Sequence, residues 1–381
     1  MRMLVLGAGL QGSACAYDLL QNPDVKQVRL ADLHFDHLPG FLKGMSGPRL
    51  IPTTLDVRDR DAVLALMGEC DAVMSAIPYY FNLQLATCAA EAGVHFCDLG
   101  GNTEIVFQQK ELQEKAAAKG ITIVPDCGVA PGMVNILAQH GIAQLDSVSS
   151  VRIYVGGLPQ NPELPLNYQI VYSLEGVLDY YTTPSWVVRN GKRETVVALS
   201  EREDVKFAAP VGTLEAFHTA GGLSTMAFRY EGKIPTMEYK TLRYPGHAAL
   251  MESIRSLGLL DLEPVDVKGA KVVPRDVFVN VVGPRLTKPS GKDLLALRVI
   301  VEGEKGGAPA KRQYDLIDRY DEKHGISAMM RTTGYSLSIT GQMQVRGEVQ
   351  PPGVWTPDEC MPADAYMAEL RKRGMQLVES M

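Results

Sequence analysis

The first turn of the chain, Gly7-Ala8-Gly9-Leu10-Gln11-Gly12, carries GxGxxG spacing directly after an apolar run and directly before a helical pattern. In that setting Gly7 permits a tight turn, Gly9 lets backbone approach a pyrophosphate, and Gly12 lets the helix lie close to the sheet. The helix start, with Leu10 and Gln11, offers free N–H groups and the positive end of a dipole to phosphate. Asp32 follows 20 residues after Gly12, at the end of VRLAD, where a carboxylate accepts hydrogen bonds from the adenosine ribose and repels a 2′-phosphate. This favours NAD over NADP; the plain alternative is a capping or loop aspartate. Asp56 and Val57 are expected to flank the adenine. Ala76, Ile77 and Pro78 are expected to border the ribose and nicotinamide, because ligands lie beyond the carboxyl ends of parallel strands.

A dinucleotide supplies only half of a reaction, and the other half needs a pocket with polar groups. Three later stretches are rich in polar and aromatic residues for their apolar context: NYQIVYSLEG with Tyr168 and Glu175, EAFHTAGGLSTM with His218, Thr219, Ser224 and Thr225, and EYKTLRYPGH with Arg243, Tyr244 and His247. Clefts between domains are preferred binding sites, so these segments are expected to assemble one. His218 reads either as a working group or as a packed side chain beside a flexible turn.

The elements that must position these residues follow from periodicity. MLVLGAG, VRLAD, RLIPTTLD, DAVMSAIP, VHFCDLG and ITIVPD are short, apolar and often β-branched, and helical patterns separate most of them. Strands alternating with helices imply right-handed crossovers and a parallel sheet covered on both faces. The fold class is therefore α/β: a doubly wound, Rossmann-type parallel sheet over residues 1–125. From 126 to 325 the pattern changes to longer strands and hairpins, including WVVRNGKRETVVAL with its Asn190-Gly191 turn, and predicts an α+β domain with an open mixed sheet. The segment 326–381 begins with SAMMRTTGYSLSITGQMQ, a helix expected to pack back on the first domain.

Composition narrows the function classes. A formal net charge of −6 without basic runs excludes the electrostatic footprint of a nucleic-acid binder. No apolar stretch approaches the roughly 18 to 20 residues of a membrane span, and the N-terminus opens on a strand pattern, so a cytoplasmic protein is expected. The six cysteines, Cys15, Cys70, Cys88, Cys97, Cys127 and Cys360, form no CxxC pair and are expected to be reduced and buried. His34 and His37 in HFDH have metal-ligand spacing, but no further histidine or cysteine cluster accompanies them, and no metal is expected.

Taken together, LGAGLQG, GVHFCDLGG, IVPDCGVAPGMVNIL, EAFHTAGGLSTM, EYKTLRYPGH and the late RTTGYSLS resemble the saccharopine dehydrogenase superfamily over nearly the whole chain. Within it, the combination with VYSLEGVLDYY is most similar to the L-lysine 6-dehydrogenases. The resemblance implies NAD-dependent oxidation of the ε-amino group of L-lysine, loss of ammonia and formation of 2-aminoadipate semialdehyde, which cyclises to piperideine-6-carboxylate. It also implies no metal and a homo-oligomer formed through the second domain. Related members act on saccharopine or on carboxyspermidine-type amines, which is the alternative reading.

Such chemistry assigns roles. Hydride leaves the amine-bearing carbon only after nitrogen has lost a proton, so a base is needed, and His218 is the candidate. Asp98, in DLGG, is expected on the nicotinamide side of the crevice, balancing a cationic imine or ring; its alternative is a cap on the helix starting near Thr103. Asp126, at the hinge, is a second candidate of the same kind. Arg243 suits bidentate binding of the substrate carboxylate, with Tyr168, Thr219, Thr225 and Tyr244 beside it, or else serves in a structural ion pair.

Overall fold

The computed structural model describes residues 1–35, 38–43, 45 and 47–381. Six parallel strands build the first sheet: β1 (Arg2–Leu6), β2 (Gln27–Asp32), β3 (Leu50–Thr54), β4 (Ala72–Ser75), β5 (His95–Asp98) and β6 (Thr122–Val124). Their order is 3-2-1-4-5-6, with a seventh short strand from late in the chain added beside β6. Helices are started by local chemistry: the Asp59 carboxylate accepts from Ala62 N, and the Asn102 side chain from Ile105 N. The topological switch point falls between β1 and β4, where the order reverses and a crevice must open.

The second domain is built on β7 (Ser147–Pro159), the hairpin β8 (Ser185–Arg189) and β9 (Lys192–Val196), then β10 (Glu203–Lys206), β11 (Thr213–His218) and β12 (Thr236–Arg243). A small hairpin, β13 (Val265–Val267) and β14 (Ala270–Val272), stands as its own two-stranded sheet. Two long strands follow, β15 (Asp293–Lys305) and β16 (Ala308–Arg319). The sheet is mixed: β12 and β7 are parallel, whereas β11–β12, β7–β15 and β15–β16 are antiparallel. Asn190 and Gly191, with φ of 49 and 74°, form the tight turn that their residue types demand.

After β16 the chain returns to the first domain. The helix Ala328–Val345 lies across its sheet, where Gln344 Nε2 donates to the carbonyls of Phe96 and Thr122 at 3.0 and 2.9 Å, and Ser338 Oγ donates to Asp18 at 2.7 Å. The short strand β17 (Gly353–Val354) completes the parallel sheet beside β6, and β18 (Val378–Ser380) ends the chain on β16. The substrate-side sheet and the dinucleotide-side sheet are thus joined by three crossings of the chain. Among the described residues no helix is long and apolar enough to cross a membrane.

Candidate active site

A cavity of about 490 Å³ opens at the switch point and runs from the first domain into the second. Its first-domain wall is Gln11, Ala76–Pro78 and the Leu99–Gly100 peptide; its second-domain wall is one face of β7 and β12 with Thr219 and Ala220 just after β11, closed by the helix Leu174–Thr182. The glycine turn has the shape a dinucleotide needs. A Cβ on Gly7 would lie 2.7 Å from the Ala76 carbonyl, and one on Gly12 only 1.8 Å from the Gly7 carbonyl, whereas Gly9 faces open space. No side chain caps the helix Leu10–Gln21, and both amide atoms of Gln11 are buried without a partner. Free N–H groups and an orphaned amide at a helix start fit a pyrophosphate-bearing ligand.

Asp32 accepts from Ala8 N at 2.6 Å and Leu33 N at 2.7 Å, so its carboxylate fixes the glycine turn at the end of β2. Asp56 and Val57 sit beyond β3, outside the cavity. Asp56 is gripped by the Arg58 guanidinium, which holds its pKa down at about 2. Ala76, Ile77 and Pro78 line the cavity, and Leu10 is half exposed outside its lining. His34 is exposed, and His37 lies outside the described residues.

Strand alternation sorts the second-domain candidates. Successive side chains of a strand point to opposite faces, so Tyr239, Thr241 and Arg243 of β12 line the cavity while Glu238 and Lys240 face away. On β11, His218 is paired with Lys240 and shares that far face. His218 therefore does not line the cavity, contrary to expectation. It is fully buried, with Nδ1 at 3.2 Å from the Tyr239 carbonyl and Nε2 at 3.2 Å from Glu201, and burial together with Lys240 pushes its pKa down. The next residue, Thr219, does line the cavity, and its hydroxyl shares a 2.7 Å hydrogen bond with Thr241.

The other corrections have the same kind of cause. Asp98 is fully buried behind the Leu99–Gly100 wall, accepting from Gly100 N at 2.7 Å and Gln109 Nε2 at 2.7 Å; burial raises it to about 6. It is not a cap either, since Asn102 fills that place. Thr225 is buried against Thr356, and Tyr244 turns away from the cavity to donate to the Pro159 carbonyl at 2.9 Å. Tyr168 lies under Arg243, whose guanidinium carbon is 4.9 Å from its ring centre, and so supports the arginine without lining the cavity. His247 is buried between Tyr181 and the Leu166 carbonyl, where burial and Arg243 push it down to about 3. All six cysteines are buried, and burial raises the Cys127 thiol well above its usual range.

Arg243 lines the cavity. It is buried to 3 % exposure, and it donates only to neutral oxygens: Tyr181 Oη at 3.1 Å, the Leu242 carbonyl at 2.9 Å and the Gly157 carbonyl at 3.5 Å. No carboxylate pairs with it among the described residues. The cavity also has aromatic walls that no sequence motif marks, Tyr79, Tyr172, Tyr180 and Tyr239, and a carboxylate, Asp179, which is bonded to Arg275 at 2.5 Å. The only available signal for Tyr239 was its period-two spacing from Arg243.

Residues 3–124 match the saccharopine dehydrogenase NADP binding domain, and residues 128–375 match the saccharopine dehydrogenase C-terminal domain. The chain belongs to the saccharopine dehydrogenase family. It is 24% identical to the saccharopine dehydrogenase (NADP(+), L-glutamate-forming) of Saccharomyces cerevisiae, over 99% of this chain and 98% of that one. It is also 26% identical to the mitochondrial alpha-aminoadipic semialdehyde synthase of Mus musculus, over 67% of this chain and 28% of that protein. Its fold superposes on the apo saccharopine dehydrogenase (L-Glu forming) of S. cerevisiae with a TM-score of 0.81 at 21% identity, covering 100% and 99% of the two chains. The homospermidine synthase of Legionella pneumophila, in complex with NAD, gives a TM-score of 0.72 at 12% identity, covering 100% and 91%. Membership in the family makes this an oxidoreductase with a nicotinamide-dinucleotide-binding domain.

Proposed function

We propose that the protein oxidises the ε-amino carbon of L-lysine with NAD, releasing ammonia and 2-aminoadipate semialdehyde. The observation that carries this reading is the charge of the cavity wall. Its charged lining is one cation, Arg243, and two carboxylates, Glu175 and Asp179, of which Asp179 is already paired with Arg275. Lysine offers a carboxylate to Arg243 and an ammonium to Glu175. Saccharopine carries three carboxylates, for which the described lining offers one guanidinium, so the saccharopine-cleaving alternative fits the wall less well.

In this reading Arg243 takes the α-carboxylate. A planar guanidinium that donates only to neutral oxygens keeps its charge for an incoming anion, and the dry surroundings strengthen the pair. Glu175 forms no ion pair or side-chain hydrogen bond among the described residues and lies at the exposed rim, where it faces an ammonium. Tyr172, Tyr180 and Tyr239 enclose the aliphatic stem and exclude water from the reacting carbon. Gln11, the Gly9 backbone and Asp32 would hold the dinucleotide, whose oxidised ring supplies the hydride acceptor.

NAD is proposed over NADP on Asp32. Its carboxylate lies at the end of β2, and it has no cationic partner among the described residues to receive a 2′-phosphate. We also propose a homo-oligomer through the second domain. The β13–β14 hairpin is a two-stranded sheet on its own, which is marginal in water, and it exposes Val265 and Val267, while Leu257, Leu262, Val277 and Val281 of the flanking sequence are exposed as well. The test of the activity is a comparison of L-lysine, saccharopine and ornithine as sole amines with either dinucleotide, followed by reduced nicotinamide absorbance. Reduction with saccharopine alone would overturn the lysine reading.

A further inference from the structure

Amine oxidation requires that the substrate ammonium give up a proton before hydride can leave. His218, the expected base, is on the far face of the sheet; His247 and Asp98 lie behind the walls, and Asp179, which lines the cavity, is held by Arg275. One buried carboxylate beside the cavity keeps an oxygen without a partner, Asp126 Oδ1. It lies directly against Gly100, where a Cβ would come within 1.6 Å of it, and Gly100 is part of the cavity wall. The second oxygen accepts the hydroxyl of Ser224, from the loop that follows Thr219. Both partners are non-glycine residues held in the left-handed region, with φ of 62 and 51°. That loop is pinned in place by Asn135, whose Nδ2 donates to the carbonyls of Gly222 and Leu223 at 3.2 Å. Two unfavourable backbone conformations meeting in one hydrogen bond are the kind of strain that is maintained at functional sites.

We infer that Asp126 accepts the proton lost by the substrate ammonium, reached through the hydroxyl of Tyr180. The inference rests on the amine-oxidation reading. Tyr180 lines the cavity, its hydroxyl lies 3.5 Å from the point a Cβ on Gly101 would occupy, and it has no hydrogen-bond partner among the described residues. An N–H bond of the ammonium breaks, its proton passes to the Tyr180 oxygen, and the Tyr180 proton passes to Asp126 Oδ1 through a bridging water, since the two oxygens are not hydrogen-bonded to each other. The lone pair left on nitrogen then forms the C=N bond as hydride departs from the carbon to the oxidised nicotinamide. Hydrolysis of the imine by water releases ammonia.

The surroundings suit a carboxyl that exchanges a proton near neutral pH. Burial, with Asp98 at the end of β5 and Asp358 in the segment Pro357–Cys360, raises Asp126 to about 7 against the opposing Ser224 hydroxyl and Gly101 N–H, and Tyr180 is the other titratable group that feels its charge. The experiment combines infrared difference spectra across about pH 6 to 8, near the range where a group raised this far titrates, with the pH profile of kcat/KM. A protonated-carboxyl band should disappear as pH rises, with the midpoint of the acid limb of kcat/KM. In Ser224→Ala both should move to higher pH, because a hydrogen bond to the charged form is lost. Asp126→Asn should remove the band and lower kcat at least a hundredfold, and Tyr180→Phe should keep the band while slowing turnover at least tenfold. An Asp126→Asn enzyme with the wild-type acid limb and turnover within threefold overturns the proposal. So does a Ser224→Ala enzyme with unmoved midpoints, should the asparagine variant not fold. If the wild type oxidises saccharopine but not lysine, the lysine reading fails, and the same variants measured on saccharopine still decide the role of Asp126.

Discussion

Replacing Arg243 with methionine separates a substrate-binding arginine from a structural one. In the free protein the guanidinium is buried and bonded only to Tyr181, the Leu242 and Gly157 carbonyls and the Tyr168 ring, with no anion to repay its desolvation. Burying an unpaired ion costs several kcal/mol, and an apolar side chain of similar length removes that cost while giving up three hydrogen bonds to neutral oxygens, so the net change in stability is about zero, within ~2 kcal/mol. Breaking a structural ion pair would instead cost about 3–5 kcal/mol. Substrate binding should behave in the opposite way. Truncating one partner of a buried, hydrogen-bonded charge pair costs about 2–5 kcal/mol, which is roughly 30-fold to several-thousand-fold in KM for lysine, at about 1.4 kcal/mol per factor of ten. Urea unfolding gives the first quantity and initial rates at varied lysine the second. A variant that loses more than about 3 kcal/mol of stability while keeping the wild-type KM would refute the reasoning, since those are the marks of a structural pair.

Three further outcomes follow from the placements. His218→Ala should leave kcat/KM within about threefold and cost about 1–3 kcal/mol in urea unfolding, because its bonds are to Glu201 and the Tyr239 carbonyl and not to the cavity; inactivity in a folded variant would return it to the mechanism. Asp32→Ala should raise KM for NAD and improve use of NADP, shifting the ratio of the two specificities by about tenfold or more, the scale of one charge-assisted hydrogen bond, as measured in parallel rate assays. Val265→Asp with Val267→Asp should lower the mass seen by light scattering if the exposed hairpin packs against a second copy, and an unchanged mass would move the interface elsewhere.

What could be read from the sequence was local. The parallel sheet follows from alternating short apolar runs and helical patterns, and the glycine turn from three positions whose backbone requirements are met within one loop. Arg243 stands out in the sequence because few side chains bind a carboxylate bidentately, and the structure places it on the cavity wall. His218 and Tyr244 were misplaced because each stands one residue from a cavity-lining neighbour, Thr219 or Arg243. A strand's period of two reverses facing at every step. The face that points inward is set by pairing between β11, β12 and β7, which is a long-range property. Asp98 has the right chemistry at the right strand end, but its carboxylate satisfies Gly100 and Gln109 behind the wall, and only the packed structure shows that. The tyrosine walls have no local motif at all.

The central claim is that this oxidoreductase takes its hydride from the ε-carbon of lysine, and deuteration of that carbon tests it directly. With lysine deuterated at the ε-carbon as sole amine, NAD should be reduced with one ammonia released per turnover, and the deuterium should appear on the nicotinamide ring by NMR. Reduction that carries no deuterium, or that occurs with saccharopine and not with lysine, would contradict the account.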